Sequence, residues 1–252
     1  MTNDGMTDGP TGAGQPAGEQ NLSRQYWDGA AREDALWFIA TGAATDKETF
    51  YASGRKETDE YLAFADIAPD PNATVLEIGC GAGRMTARLA QLYGRVIALD
   101  VSQEMLDRAA VAMADLDNVT YVLGNGSDLA GVDDSSVDVV FSYIVLQHVP
   151  TVEGQLSYFR ETRRVLKPGG KAAIQVRSNT VKARALEWAG HARHRVSGRK
   201  VLSKAWRGAH VPVVSLMAAA SGSAVSESGP KATVTLKTWG PRHTWVMMRR
   251  QA

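Results

Sequence analysis

Val75-Leu76-Glu77-Ile78-Gly79-Cys80-Gly81-Ala82-Gly83, then Arg84 to Tyr93, then Arg95-Val96-Ile97-Ala98-Leu99-Asp100, is the stretch whose reading decides the fold. Its two ends are short runs of Val, Ile and Leu with few polar breaks, as in strands buried on both faces. Between them Met85, Leu89 and Leu92 recur at helical spacing, with Arg84, Arg88 and Gln91 on other faces. Strand, glycine turn, helix and strand in that order open a doubly wound α/β fold. The glycines, lacking Cβ atoms, permit positive φ and let a ligand approach the backbone. Asp100 ends the second strand roughly 20 residues after the turn, where such folds hold their ligands. A carboxylate there can accept both hydroxyl hydrogens of a ribose, at about 1.5–3 kcal/mol per charged hydrogen bond. The expected ligand therefore carries a nucleoside.

The glycine spacing narrows the choice. A dinucleotide fingerprint runs Gly-x-Gly-x-x-Gly, its third glycine allowing close helix packing. Here the spacing is Gly-x-Gly-x-Gly, and Arg84 stands where that last glycine belongs. Glu77 within the first strand is also unusual, because an unpaired carboxylate in a buried strand is costly. In these residues the chain resembles the class I methyltransferases that use S-adenosylmethionine. The resemblance implies that Glu77 orders the glycine loop and the amino-acid end of that cofactor, with Asp100 on the ribose. It extends the cofactor site to Gly79, Cys80, Gly81, Gly83, Val101, Met105, Gly126 and Tyr143. Two other readings stay open at this point. One is a nicotinamide-dependent oxidoreductase, which Glu77 and the missing third glycine oppose; the other is a protein that binds the cofactor without turnover.

Working outward toward the carboxyl end, Ser102 reads as the N-cap of a helix with Glu104 in its first turn. Val119 to Leu123 reads as a third strand, ending in Gly124-Asn125-Gly126-Ser127-Asp128-Leu129. Members of the resembling family commonly place an acid after the first glycine of this loop, where it accepts from the adenine amino group. Here Asn125 stands in that place, and an amide oxygen can accept the same bond; Asp128 is the rival. Val137 to Tyr143 is a fourth strand emptying into Ile144-Val145-Leu146-Gln147-His148. Thr151 caps a helix that stops at Pro168-Gly169-Gly170, and Ala172 to Val176 is a fifth strand. The resemblance covers residues 72–177. Beyond it Pro212 starts a short helix, and Lys231–Trp239 and Thr244–Met248 alternate as two strands. They fit the antiparallel hairpin that completes the mostly parallel, seven-stranded, Rossmann-like sheet of that family.

Toward the amino end, residues 1–22 have almost nothing to bury and read as a disordered tail. Ser23 is placed as the cap of a helix running to Ile39, and a second helix from about Asp46 to Ile67 contains Gly54, which weakens it by about 1 kcal/mol relative to Ala. These make a helical cap over 23–70, with the methyltransferase domain over 71–252. In the resembling family such helices lie over the cofactor and shape the acceptor pocket. Tyr26, Trp27, Tyr51, Arg55 and Gln147 are the candidate acceptor contacts; for each aromatic, plain helix packing is the competing account, and for Arg55 a solvated face. His148, just beyond the fourth strand, is the candidate base for an acceptor that must lose a proton.

Composition bounds the remainder. The 252 residues are 44% hydrophobic, with 28 basic against 27 acidic side chains, so no global attraction to polyanions is expected and a nucleic-acid partner is disfavoured. One cysteine suits a reducing compartment, no apolar run is long enough to span a bilayer, and the start lacks a secretory pattern; a cytoplasmic protein is expected. Asp/Asn-Pro-Pro-aromatic is missing after the fourth strand, Cys80 lies in the cofactor loop, and no metal-ligand spacing is visible. What remains, with no metal, is transfer to O, N or C of a small molecule or of an RNA or protein side chain, and a small molecule is favoured because no added nucleic-acid module is present. Residues 177–210 hold nine Lys or Arg against Glu187 alone, either a solvated face or a cap that draws in an anionic acceptor.

Overall fold

A computed structural model describes residues 17–39, 46–177, 208–223, 229–240 and 243–252, with residues 17–22 as backbone only. The bulk of the expected tail, most of the basic segment and the side chain of Trp37 lie outside the described residues. In chain order the elements are α1 (Ala17–Ile39), α2 (Lys47–Phe64), β1 (Thr74–Ile78), α3 (Thr86–Leu92), β2 (Arg95–Asp100), α4 (Gln103–Ala112), β3 (Val119–Leu123), β4 (Val137–Ser142), a short 3-10 turn (Leu146–His148), α5 (Val152–Val165), β5 (Leu166–Arg177), α6 (Val213–Ser221), β6 (Ala232–Trp239) and β7 (His243–Arg250). The strands form one seven-stranded sheet in the order β3-β2-β1-β4-β5-β7-β6. The first five are parallel, while β7 runs antiparallel to β5 and β6. This is the doubly wound sheet with a closing hairpin expected from the sequence. The order reverses between β1 and β4, and the crevice at that switch point is where a ligand belongs.

Two apolar layers flank the sheet. Leu76, Ile78, Leu99 and Val140 point to α5 and α6, where Phe159, Val165, Leu216 and Ala220 meet them. Val75, Val96, Phe141 and Trp245 pack on the other face against Leu62, Met85 and Leu89 of the α2–α3 side. The alternation of β1 between the two layers is the period-two geometry of a strand covered on both sides.

Several local expectations shift. α1 already begins at Ala17, so Ser23 is not its cap but a buried residue inside it, and the last six residues of the expected tail are helical. Asp34 interrupts α1 with non-helical angles, a kink the apolar pattern did not signal. Asp46, read as the start of α2, is its N-cap, the side chain accepting from the Thr49 N–H, and the helix ends at Phe64 rather than Ile67. The Lys237 ammonium donates to the Phe64 carbonyl, satisfying one orphan acceptor of that last turn. Gly54 has a packing reason. A Cβ there would lie 2.0 Å from the Arg84 carbonyl oxygen, so α2 can rest on the glycine loop only with a bare α-carbon. Finally, β5 begins at Leu166, before Pro168-Gly169-Gly170. Leu166 pairs with Val137 and Lys171 with Val139, so the intervening residues bulge out of the ladder, with Gly169 at φ +80°.

Candidate functional site

The loop after β1 is fastened to the end of β2. The N–H groups of Gly79 and Cys80 both donate to the Leu99 carbonyl, at 2.7 and 3.1 Å. The Gly81 N–H donates to Asp100 Oδ2 at 2.8 Å, and the Ser102 N–H donates to Asp100 Oδ1 at 2.9 Å. Gly79 and Gly81 take φ of +76° and +53°, the left-handed region that side chains rarely adopt. The two carboxylate oxygens of Asp100 thus take one backbone N–H each from Gly81 and Ser102. Burial raises the Asp100 pKa, and the bonds from Ser102, Gly81 and Val101 oppose that rise.

Glu77 is buried at 4% exposure, with Oε2 accepting from the Thr86 hydroxyl at 2.6 Å. Burial pushes its carboxyl up to about 7, against the Thr86 bond and the Arg84 charge, which both lower it. Arg84, where a dinucleotide fold would have glycine, reaches back to α2. It pairs with Glu57 at 2.8 Å and donates to the Ser53 hydroxyl at 3.3 Å. The residue that argued against a nicotinamide site therefore couples the glycine loop to α2.

α1 lies over the same edge. The Arg24 guanidinium donates to the carbonyls of Val101 and Gly124, both at 3.1 Å, spanning the ends of β2 and β3. Asp28 accepts from the Ser102 hydroxyl, whose oxygen in turn caps α4 at the Met105 N–H. At the end of β4 the chain turns through Ile144 with φ +56°, a conformation that is a genuine outlier for a β-branched residue. Gln175 of β5, fully buried, holds it by accepting the Ile144 N–H at 2.9 Å. Strain kept at such a place is common beside ligands.

Together these pieces enclose one cleft with about 1130 Å³ of empty space, mouth included. Of the residues singled out in the sequence, Glu77, Gly79, Cys80, Gly81, Asp100, Val101, Met105, Gly126, Tyr143, Trp27, Gln147 and His148 line it. Leu99, Val101 and Met105 are apolar walls lining it with the Asp100 carboxylate. Trp27, Phe38 and Ile39 of α1 line it too, as do Val145, Gln147, His148 and Pro150, with Val145 lying against Gly79 and Ile39 against Gly81. There the Trp27 indole meets the His148 ring edge-on at 5.4 Å, and Gln147 Nε2 lies 3.2 Å from His148 Nε2. Tyr143 stacks on Trp245 at 5.8 Å and accepts from the Tyr61 hydroxyl at 2.9 Å.

Five candidates fall elsewhere. Arg55 is exposed on α2, away from the cleft lining, as a solvated face would be. Tyr51 is a prop beneath the loop, its hydroxyl donating to the Ala82 carbonyl at 3.3 Å. Tyr26 packs edge-on against Trp27 and stands behind it. Gly83 faces α4, where a Cβ would meet the Met113 methyl at 2.2 Å. Asn125 turns inward: its amide oxygen accepts from Ser127 N–H, Ser127 hydroxyl and Asp128 N–H, and its amide nitrogen donates to Asp128. The rival Asp128 is likewise engaged, with Asn125 and the Ala130 N–H. Neither side chain is among the described lining residues, and both build the turn. Sequence reasoning missed Ser23, Phe38, Arg84 and Tyr158 as lining residues. Helical spacing alone cannot tell which turn of a helix passes beneath a strand edge.

The donors present suit S-adenosylmethionine. Asp100 offers a carboxylate for vicinal hydroxyls, Glu77 a carboxyl for an ammonium, and the apolar walls a slot for a flat base. Comparison with known proteins points the same way. Residues 76–174 match the family model of a methyltransferase domain. The ubiquinone biosynthesis O-methyltransferase of Xanthomonas oryzae is 30% identical over 177 residues, covering 70% of each chain. An uncharacterized 37.1 kDa protein in transposon TN4556 of Streptomyces fradiae is 32% identical over 167 residues. That match covers 63% of this chain and 46% of the other, so the chain spans about half the length of this relative. Among solved structures, magnesium protoporphyrin IX methyltransferase from Synechocystis, with bound S-adenosylhomocysteine, gives a TM-score of 0.62 at 15% identity, covering 92% of this chain and 100% of that one. The N-methyltransferase NodS from Bradyrhizobium japonicum gives 0.59 at 14%, covering 91% and 99%. At such identities the likeness is one of fold.

Proposed function

The chain belongs to the class I S-adenosylmethionine-dependent methyltransferases, and from that premise we propose that the cleft transfers a methyl group to a small-molecule acceptor seated between α1 and the turn after β4. The observation that carries this reading is the convergence of Glu77, the glycine loop and Asp100 on one cleft that His148 and Trp27 also line. The chemistry supplied by the bound cofactor is an electrophilic methyl on a sulfonium, displaced in line by an acceptor lone pair. Asp100 holds the ribose hydroxyls and Glu77 the amino-acid end. With both ends fixed, alignment alone removes a large part of the barrier, since effective molarities reach about 10⁵ M and more.

His148 takes the proton when the acceptor atom must lose one, with Gln147 beside its ring. The walls around it are apolar and neutral, which favours an acceptor with an aromatic or alicyclic body. Arg84 is the one cation among the described lining residues, and Glu57 already neutralises it, so the described lining adds no support for an anionic acceptor. Proteins similar to this chain are named for acceptors as different as magnesium protoporphyrin IX, phosphoethanolamine and arsenite, so their names do not decide the acceptor's size. Among the described residues no helix is long and apolar enough to cross a membrane.

The test is calorimetric and then catalytic. S-adenosylhomocysteine should bind and NAD should not, and labelled methyl from S-adenosylmethionine should appear on members of a panel of phenols, amines and carboxylic acids. His148→Gln should lower turnover about 10²- to 10⁴-fold with unchanged S-adenosylhomocysteine affinity. Binding of NAD in place of S-adenosylhomocysteine would overturn the reading. Binding with no transfer across a broad panel would favour a cofactor-binding protein without turnover.

A further inference from the structure

The Asn125 and Asp128 side chains are committed to their own turn. Of the residues lining the cleft, Leu99, Val101, Met105 and Gly126 offer no side-chain donor or acceptor, while the hydroxyls of Ser23 on α1 and of Tyr158 do. Tyr158 is the one packed with the sheet's apolar layer. It sits on α5, beneath the sheet edge rather than in any loop, and is only 4% exposed, packed in the apolar layer with Leu99, Leu129 and Leu146. Its ring nonetheless reaches the cleft lining. Among the described residues its hydroxyl has no hydrogen-bond partner, and it is not sealed from solvent. The phenol stands close enough to Asp100 and Asp128 that both carboxylates, after burial, help to raise its pKa. It is therefore a neutral hydroxyl, held near Asp100 and able to donate one bond and accept another.

We infer that Tyr158 is a specificity-determining residue of the cofactor site, its hydroxyl hydrogen-bonding the edge of the adenine base. The inference rests on the reading of the cleft as an S-adenosylmethionine site. A hydroxyl left accessible on a residue that lines the cleft is available to whatever occupies it. Phe would fill the same volume but offer an occupant no donor or acceptor. Adenine supplies both a donor, its exocyclic amino group, and adjacent ring-nitrogen acceptors.

Tyr158→Phe tests this with little risk to folding, because it removes no bond within the protein. Thermal unfolding of the ligand-free variant should match or exceed that of the parent chain. Calorimetry should then compare S-adenosylhomocysteine with 5′-methylthioadenosine, which keeps the nucleoside and lacks the amino-acid end. Both affinities should fall by about 2- to 12-fold, the fold-change of one neutral hydrogen bond. A loss confined to S-adenosylhomocysteine would move Tyr158 to the amino-acid end and overturn the inference. Unchanged affinity for both ligands would overturn it as well, leaving a residue of packing alone. If the parent chain binds neither ligand, the failure lies with the cofactor reading itself.

Discussion

Glu77→Gln should change how stability depends on pH, and the structure gives both sign and size. The carboxyl is almost fully buried, and its pKa rises from 4.5 to about 7, with burial as the largest cause. In the unfolded chain it ionises near its ordinary value. Between pH 4.5 and 7 the unfolded state therefore holds fewer protons than the folded one, and stability falls as pH rises. The contribution is fully present below about pH 4.5 and lost on passing through about 7. At about 1.36 kcal/mol per pKa unit the loss is ~3 kcal/mol. Gln keeps the shape, can still accept the Thr86 hydroxyl, and does not titrate. Urea unfolding from pH 4.5 to 8 should show the stability difference between parent and variant moving by about that amount in favour of Gln. A difference that stays level across the range, or moves toward Glu, would refute the reasoning. A second consequence follows on binding. An ammonium placed against Glu77 lowers its pKa, so S-adenosylhomocysteine should release a fraction of a proton near pH 7, visible as a buffer-dependent heat of binding.

Four further substitutions follow from the contacts. Asp100→Ala removes the acceptors of two backbone N–H groups as well as the ribose bonds, so S-adenosylhomocysteine should bind about 10- to 150-fold more weakly by calorimetry, with unfolding also shifted to lower urea. Gly54→Ala should destabilise by about 1–3 kcal/mol despite the better helix propensity of Ala, because the new methyl would meet the Arg84 carbonyl; urea midpoints measure it. Asn125→Asp would place a second carboxylate against Asp128 where an amide now donates, so it should lower thermal stability near neutral pH and recover as pH falls toward 4. Gln175→Leu should cost about 1–3 kcal/mol in urea unfolding, since the strained Ile144 would lose the acceptor of its N–H.

The parts legible in the sequence were those fixed by local pattern. The runs of β1 and β2 and the spacing of Met85, Leu89 and Leu92 could only suit a strand-turn-helix-strand unit. Ser102 and Thr151 announced their helices through side chains that do cap them. What stayed hidden depends on contacts between distant segments. Gly54 looks like a helix defect until Arg84, thirty residues on, is seen against it. Asn125 looks like an adenine ligand because its position has that use elsewhere, but Ser127 and the Asp128 N–H compete for the same oxygen at shorter range. Tyr158 sits in an amphipathic helix whose pattern shows which side is buried, not that one residue reaches past the layer into the cleft.

The same contacts bear on how the cleft is built. α1 and α2 come early in the chain and belong to neither the sheet nor its crossover helices, yet both are tied to the cofactor end by polar bonds. Arg24 spans the loops after β2 and β3, Asp28 joins the cap of α4, and Glu57 holds Arg84 beside Glu77. Ile39 closes over Gly81, where even a methyl group would stand 2.9 Å from it. Trp27, which lines the cleft against His148, is thus carried on the part of α1 ahead of the Asp34 kink that is registered by the loops after β2 and β3. Ordering those loops around a cofactor orders Trp27 with them. Acceptor affinity should accordingly rise when S-adenosylhomocysteine is present, and cofactor affinity must rise by the same factor when acceptor is present. Arg24→Met breaks the link without touching the cleft lining, and equilibrium binding of each ligand with and without the other should then show the two factors shrinking together. If the coupling survives that substitution unchanged, α1 is held by its apolar face alone.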